Sequence, residues 1–288
     1  MRLLLQLLRL LSYLPWRWQL GVGGLLGDLM WIVLPRRRHI VAVNLQLALP
    51  ELTPTERAAL LRESFRNAGR ALIESAISWW WPDERLQPLL HWHGLTHLQQ
   101  AQQSGRPIIL LTGHFTSYEI GSRALSSRLP FHFLYKEQRN NPYLEQMTLR
   151  YRHRHYLGAI KHHDMRTMVK VLKRGEHCWY APDQDFGHRH SVFADFMGVP
   201  TATVTALSRL ARLSGAVVLP YVPLRSATGY DIYIDAPLDN FPTADEVVNA
   251  AQINHFLSRY VSRQPAHYLW LHRRFRSRPN GADSPYES

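Results

Sequence analysis

From residue 107 onward, short apolar runs alternate with amphipathic segments, and that alternation limits the available folds more than any other feature of the chain. "PIILLTG" (107–113), "FHFLYK" (131–136), "HCWYAPD" (177–183), "AVVLPYVPL" (216–224) and "YDIYID" (230–235) have the length and the β-branched and aromatic content of strands. The first, third and fourth are apolar on both alternating faces, as expected for strands covered on both sides of a sheet. Helices are expected between them at 116–127, 142–156, 165–174, 202–214 and 244–264. Asp164 would cap the third and Gly175 stop it, while Thr243 and Glu246 form a capping box for the last, which ends before Pro265. Alternating strand and helix predict an α/β fold with a mostly parallel central sheet flanked by helices. Ligands of such sheets sit outside the carboxyl ends of the strands. His114 and Asp183 both fall just past the end of a predicted strand.

The N-terminal part reads differently. Leu3–Leu14 and Trp18–Leu34 are apolar stretches separated by Pro15, Trp16 and Arg17. The second reaches the roughly 17 residues needed to cross a thin bilayer, although Asp28 lies inside it. Arg9 interrupts the first, and no small-x-small cleavage site follows cleanly, which argues against a cleaved signal. Trp16, Trp18 and Trp31 suit the headgroup level of either a span or an interfacial hairpin. Residues 1–35 are therefore expected to be a hydrophobic membrane anchor. Arg36, Arg37 and Arg38 follow directly, and a cytoplasmic bias of such clusters would put the domain of residues 36–288 on that side. Thr53, Pro54 and Glu56 then open a helix with a capping box, and Leu60, Leu61, Phe65, Ala68 and Leu72 recur at helical spacing. It ends in Trp79, Trp80 and Trp81. Three adjacent indoles cannot all face one core, so an interfacial or ligand-facing role stands beside a crowded core.

Thirty-four Lys and Arg against 22 Asp and Glu give a formal charge of +12, so the expected partners are anionic: nucleic acid, lipid headgroups, a phosphorylated substrate or an acidic protein. Helix-turn-helix, zinc-finger and RNA-recognition signatures are all missing from the sequence, which weakens nucleic acid. One cysteine, Cys178, excludes an intramolecular disulfide framework and fits a reducing compartment.

The candidate chemistry centres on "LLTGHFTSYEIG". His114 lies in a strand-to-helix turn, and Glu119 in the first helical turn could reach back and fix the imidazole tautomer, leaving the other nitrogen to accept a proton. Thr116 and Glu119 equally form a capping box, which needs no catalysis. Asp183 and Asp185 in "WYAPDQDFG" are either turn formers or carboxylates orienting a base. Arg150, Arg152 and Arg154, then Lys161, Arg166, Lys170, Lys173 and Arg174, form a basic stretch, read as a solvated face or as phosphate capture. The close histidine pairs at 153/155, 162/163 and 188/190 lack metal-site spacing and read as surface. There is neither a G-x-S-x-G elbow nor a Walker or dinucleotide fingerprint.

"RRRHIVAVNLQLALPELT", "LLTGHFTSYEIG", "GEHCWYAPDQDFG", "SVFADFMGVPTAT" and "YLWLHRRFRSRP" together resemble the secondary acyltransferases of lipid A biosynthesis, in the lysophospholipid acyltransferase superfamily, over nearly the whole chain. The resemblance implies a cytoplasm-facing enzyme of the bacterial inner membrane. It would move an acyl chain from acyl carrier protein to the 3-hydroxyl of an acyl chain on the anionic glycolipid precursor. His114 would be the general base and Glu119 its orienting partner. Arg152 and Asp183 are carried over as required, substrate-binding positions, with Arg154 beside them. No metal or nucleotide cofactor is implied, because the thioester is already activated. Gln184 stands where some members have histidine, and "ALPE" where many have an aromatic residue before the proline. The alternatives are an acyltransferase for a lysophospholipid or aminolipid, and a non-catalytic membrane-surface protein.

Overall fold

A computed structural model of the chain describes residues 2–287, with Leu4 through its backbone only. Four helices come first: α1 (Arg2–Leu11), α2 (Trp16–Val33), α3 (Pro35–Ala48) and α4 (Pro54–Trp80). Pro15 and Pro35 begin new helices where their rings are tolerated, which breaks the apolar stretch into separate rods. The expected capping box of α4 forms: the Thr53 side chain accepts from the Glu56 N–H, and Glu56 accepts in return from the Thr53 N–H. No single helix among the described residues is long and apolar enough to cross a membrane. Together α2 and α3 pass by length and composition, but they are bent by 99°. Asp28, the charge that interrupts the apolar stretch, meets Arg62 at 3.0 Å and Arg66 at 3.6 Å.

The two longest N-terminal rods lie against each other because glycines let their backbones touch. A Cβ on Gly69 of α4 would stand 2.2 Å from the Gly23 carbonyl oxygen and 2.4 Å from the Gly27 nitrogen, both on α2. Neither neighbour is a side chain that can swing away. Gly69→Val is therefore expected to cost about 3 kcal/mol or more by overpacking. Thermal unfolding checks this, and an unchanged midpoint would contradict the backbone contact.

After a short α5 (Asp83–Leu86), the elements run β1 (Leu90–His93), α6 (Leu95–Gln103), β2 (Ile108–Leu111), α7 (Tyr118–Ser126), β3 (His132–Tyr135), α8 (Pro142–His155), β4 (Gly158–Lys161), α9 (Met165–Lys173) and β5 (Cys178–Tyr180). Then come β6 (Ser191–Phe196), β7 (Val199–Val204), α10 (Ala206–Ser214), β8 (Val217–Arg225), β9 (Tyr230–Ile234) and α11 (Glu246–Arg263). The central sheet has the order β1-β9-β8-β2-β5-β3-β4. β8, β2, β5, β3 and β4 are mutually parallel, β9 is antiparallel to β8, and β1 is parallel to β9, so the sheet is mostly parallel as expected. β2 and β8 are buried along their whole length, as strands covered on both faces must be.

Right-handed crossovers fix which helix lies on which face. The connections that step from β2 toward β4 carry α7 and α8, and those that step back carry α9 and α10. The first pair therefore covers one face and the second pair the other. α4 is on the α8 side, since Trp79 stacks on Tyr151 of α8 at 5.1 Å and the Trp80 indole donates to the Tyr151 hydroxyl. Trp81 is turned inward and donates to the Ser12 carbonyl. The indoles are thus divided between helix packing and core. Below them, Arg225 of β8 makes a bidentate pair with the buried Glu74 of α4, at 2.6 and 3.0 Å, and also reaches Asn67.

Some expected elements are corrected. Residues 202–204, expected as the start of a helix, belong to the strand β7, and the helix begins at Ala206. β6 and β7 pair across a two-residue turn, Met197-Gly198, whose positive φ angles of 56° and 77° match the twist of a hairpin. The last long helix is capped by Asp245, which accepts from the Val247 and Val248 N–H groups, while Thr243 bonds Asn249 instead of forming a box with Glu246. Asp164 caps α9 as predicted.

Candidate active site

The register of the sheet assembles the site. Leu111 at the end of β2 is paired with Tyr180 at the end of β5, and the ladder continues with the Thr112 N–H donating to the Tyr180 carbonyl. His114 and Asp183 each lie three residues past these paired ends, so the two loops emerge side by side. The His114 ring Nδ1–H donates to Asp183 Oδ1 at 2.6 Å, and the His114 backbone N–H donates to Oδ2 at 2.7 Å. Gly113 makes room for this: a Cβ there would stand 3.1 Å from Asp183 Oδ2 and 2.8 Å from Leu257.

This geometry corrects the expected pairing. No hydrogen bond joins Glu119 to His114; Asp183 fills that place. Nor does Glu119 cap its helix. α7 begins at Tyr118, after Thr116 has been drawn into another ladder by donating its N–H to the His267 carbonyl at 2.7 Å. The Glu119 carboxylate instead accepts from Arg152 Nη2 at 3.0 Å, with both side chains buried. Arg152 lies flat on Phe133, its guanidinium carbon 3.6 Å from the ring centroid, and its Nε and Nη1 have no hydrogen-bond partner among the described residues. A buried guanidinium with unused donors is suited to hold an anionic or carbonyl oxygen. Arg154, two residues on, is exposed and is not brought into the cluster. Asp185 is structural: it accepts from the Gly187 N–H and from the Ser277 N–H and hydroxyl, tying down the C-terminal segment.

The electrostatics suit a base. Burial alone would lower the His114 pKa, but the Asp183 charge and hydrogen bond outweigh it, and the pKa is raised. Burial alone would raise the Asp183 pKa; the facing His114 reverses that and holds the carboxyl well below the usual range. With its Nδ1 proton committed to Asp183, His114 keeps Nε2 as an acceptor, and the Gln184 side-chain amide donates to it at 3.2 Å.

Three nearby residues were not singled out from the sequence. The Tyr118 ring lies 5.9 Å from the His114 ring, and burial together with Glu119 pushes its hydroxyl pKa up. His272, 6.3 Å from His114 between ring centroids, is held neutral, its pKa lowered to about 4 by burial. Tyr268 pairs with Phe115 in an isolated bridge, and the adjacent Leu269 N–H donates to the His114 carbonyl. Tyr268 and His272 belong to "YLWLHRRFRSRP", so the C-terminal segment is what braces the His114 loop. A hollow of about 140 Å³ opens beside His114, with Leu134, Tyr135, Trp179, Tyr180 and Phe186 in its wall. That side of the hollow is apolar and aromatic, while Lys136, His162 and Gln184 make the rest of its wall polar. No group of three or more His, Cys, Asp or Glu among the described residues is arranged to hold a metal ion.

Comparison with known proteins identifies the setting of these residues. The profile of the bacterial lipid A biosynthesis acyltransferase family matches residues 2–277. The chain is 37% identical over 268 residues to a lipid A biosynthesis palmitoleoyltransferase of Escherichia coli strain K12, covering 92% of this chain and 87% of that protein. It is 35% identical over 275 residues to the lipid A biosynthesis lauroyltransferase of the same strain, covering 94% and 89%. A lipid A biosynthesis acyltransferase of Haemophilus influenzae strain Rd is 35% identical over 264 residues, covering 90% and 83%. With the match running from the N-terminal helices through the His114 loop to the bracing C-terminal segment, the chain belongs to the bacterial lipid A biosynthesis acyltransferase family.

Proposed function

We propose that the protein transfers a fatty acyl chain from the thioester of acyl carrier protein to the 3-hydroxyl of an acyl chain on a lipid A precursor. The observation that carries this reading is the His114–Asp183 couple at the carboxyl ends of β2 and β5. The acceptor hydroxyl takes the place of the Gln184 amide at His114 Nε2. As its oxygen attacks the thioester carbonyl carbon, its proton passes to Nε2, and the imidazolium formed is stabilised by Asp183. The tetrahedral oxyanion collapses, the carbon–sulfur bond breaks, and the departing sulfur takes the proton from Nε2. Atoms balance with one ester formed, one thiol released and the base restored. Arg152, fixed by Glu119, supplies buried positive charge for the oxyanion or for the acceptor.

Membrane association at the cytoplasmic side of the bacterial inner membrane is part of the same proposal. It is supported by the apolar outer surface of α1 and α2, where Leu3, Leu7, Leu10, Trp18, Leu25, Leu29 and Ile32 are exposed, and by Arg36, Arg37 and Arg38 just beyond. The test is incubation of the purified protein with defined acyl carrier protein thioesters and a tetra-acylated precursor, followed by mass spectrometry. A product heavier by one acyl chain is expected. Unchanged acceptor with every thioester would sink the proposal.

A further inference from the structure

The hollow beside His114 does not end there. Its walls at His162, Tyr180 and Phe186 are shared with a second hollow of about 350 Å³. That one in turn shares Met165 and Arg209 with a third, of about 620 Å³, between α9 and α10. The three hollows thus adjoin one another in a row from the base toward the α9–α10 surface. The outer end of the row has an apolar floor with Val169 and Leu213, and a cationic rim of Arg166, Lys170, Lys173, Arg174 and Arg209. All five cations are exposed, and among the described residues only Arg174 has a carboxylate partner, Glu176 at 2.7 Å. Arg166 and Lys170 are four residues apart on α9, Lys173 is its last residue and Arg174 follows as its cap. Like charges so close repel one another, and an anionic partner would relieve that repulsion.

The position of these cations decides which anionic partner. α9 and α10 cover the face of the sheet opposite α7 and α8, whereas α4, and with it α2, is layered over the α7–α8 face. The exposed apolar surface of α1 and α2 is therefore on the other side of the sheet from the basic groove, and a bilayer seated on the first does not lie against the second. We propose that the α9–α10 groove is the docking face for the acidic carrier protein, and that the donor's pendant thioester arm runs from it past Met165, Tyr180 and Phe186 to His114. This rests on the carrier-linked donor of the proposed function. An acidic amphipathic helix suits the groove on both counts, charge against the rim and apolar residues against the floor.

The test is a combined Lys170→Glu/Lys173→Glu/Arg209→Glu variant, with Lys170→Gln/Lys173→Gln as a milder companion, both checked for native circular dichroism. Dodecanoyl acyl carrier protein is compared with dodecanoyl-N-acetylcysteamine, which carries the same thioester but no protein surface. The ratio of kcat/KM for the carrier donor to that for the small donor is expected to fall at least tenfold in the triple variant, through KM, and less in the companion. Added salt should lower the wild-type ratio and leave the variant's nearly flat. An unchanged ratio in an active wild type and variant would overturn the docking face alone. A wild type that uses the small donor and never the carrier would overturn the donor reading as well. Loss of binding to phosphatidylglycerol vesicles with carrier KM intact would overturn the proposal in favour of a lipid surface.

Discussion

His114→Ala is expected to lower kcat for acyl transfer by about 10³-fold or more, within the range that loss of a positioned general base removes. The hydroxyl of the proposed acceptor is a poor nucleophile at neutral pH, and His114 lies beside a hollow with Nδ1 on the Asp183 carboxylate and Nε2 on the displaceable Gln184 amide. Binding of either substrate should change little, because the ring is a small part of the wall. Mass spectrometry of the product under single-turnover conditions separates the chemical step from release. Transfer at the wild-type rate would remove His114 from the mechanism.

Asp183→Asn should be nearly as damaging, on the order of 10³-fold in kcat, although it removes no volume. Asp183 is fully buried and accepts from both the ring and the backbone of His114. An amide at this position retains one acceptor oxygen. Its NH₂ group, turned toward Nδ1, makes that nitrogen an acceptor and moves the ring proton to Nε2, the atom that has to receive the substrate proton. The stability effect has a definite sign. The carboxyl pKa is depressed in the folded state, so its contribution is present above the unfolded carboxyl range near ~4 and is lost as pH falls through the folded value. Asp183→Asn should therefore lower the thermal midpoint at pH 7 by several degrees and show a smaller difference from wild type in strong acid.

The sequence made the mostly parallel sheet legible because β2, β5 and β8 lie in runs that are apolar on both faces, between amphipathic helices. It hid β1 and β4, which are four residues long and lie at the sheet edges, where half-polar strands such as "LHWH" are tolerated. It also hid the β6–β7 hairpin, since "TATV" followed by a real helix reads as that helix's first turn. In the site, His114, Glu119, Arg152 and Asp183 were all identifiable, but the pairing was not. Local spacing favoured Glu119 as partner because five residues lie within reach. What decides the contact is the ladder register of β2 on β5, a long-range fact that gives His114 and Asp183 the same offset of three from paired residues. Glu119 is taken up by Arg152, 33 residues away on α8, and no local pattern announces that. Arg154 is the converse case, close in sequence to Arg152 and turned out to solvent by two helical steps of about 100° each. The apolar N-terminus and the prolines that divide it were visible in the sequence, yet the packing of α2 on α4 through Gly23, Gly27 and Gly69 depends on the partner helix.

In the proposed reaction Asp183, not Glu119, is expected to orient and tune His114, and the pH dependence of kcat/KM in Asp183→Asn and Glu119→Gln tests this most directly. The base works when neutral, so activity rises as pH rises through the His114 pKa. Asp183 raises that pKa, and the wild-type inflection should lie above the ordinary ~6.5 of histidine. Removing the Asp183 charge should move the inflection to lower pH, while Glu119→Gln, which weakens only the hold on Arg152, should lower the plateau and leave the inflection in place. An inflection that shifts in Glu119→Gln and stays fixed in Asp183→Asn would contradict the account.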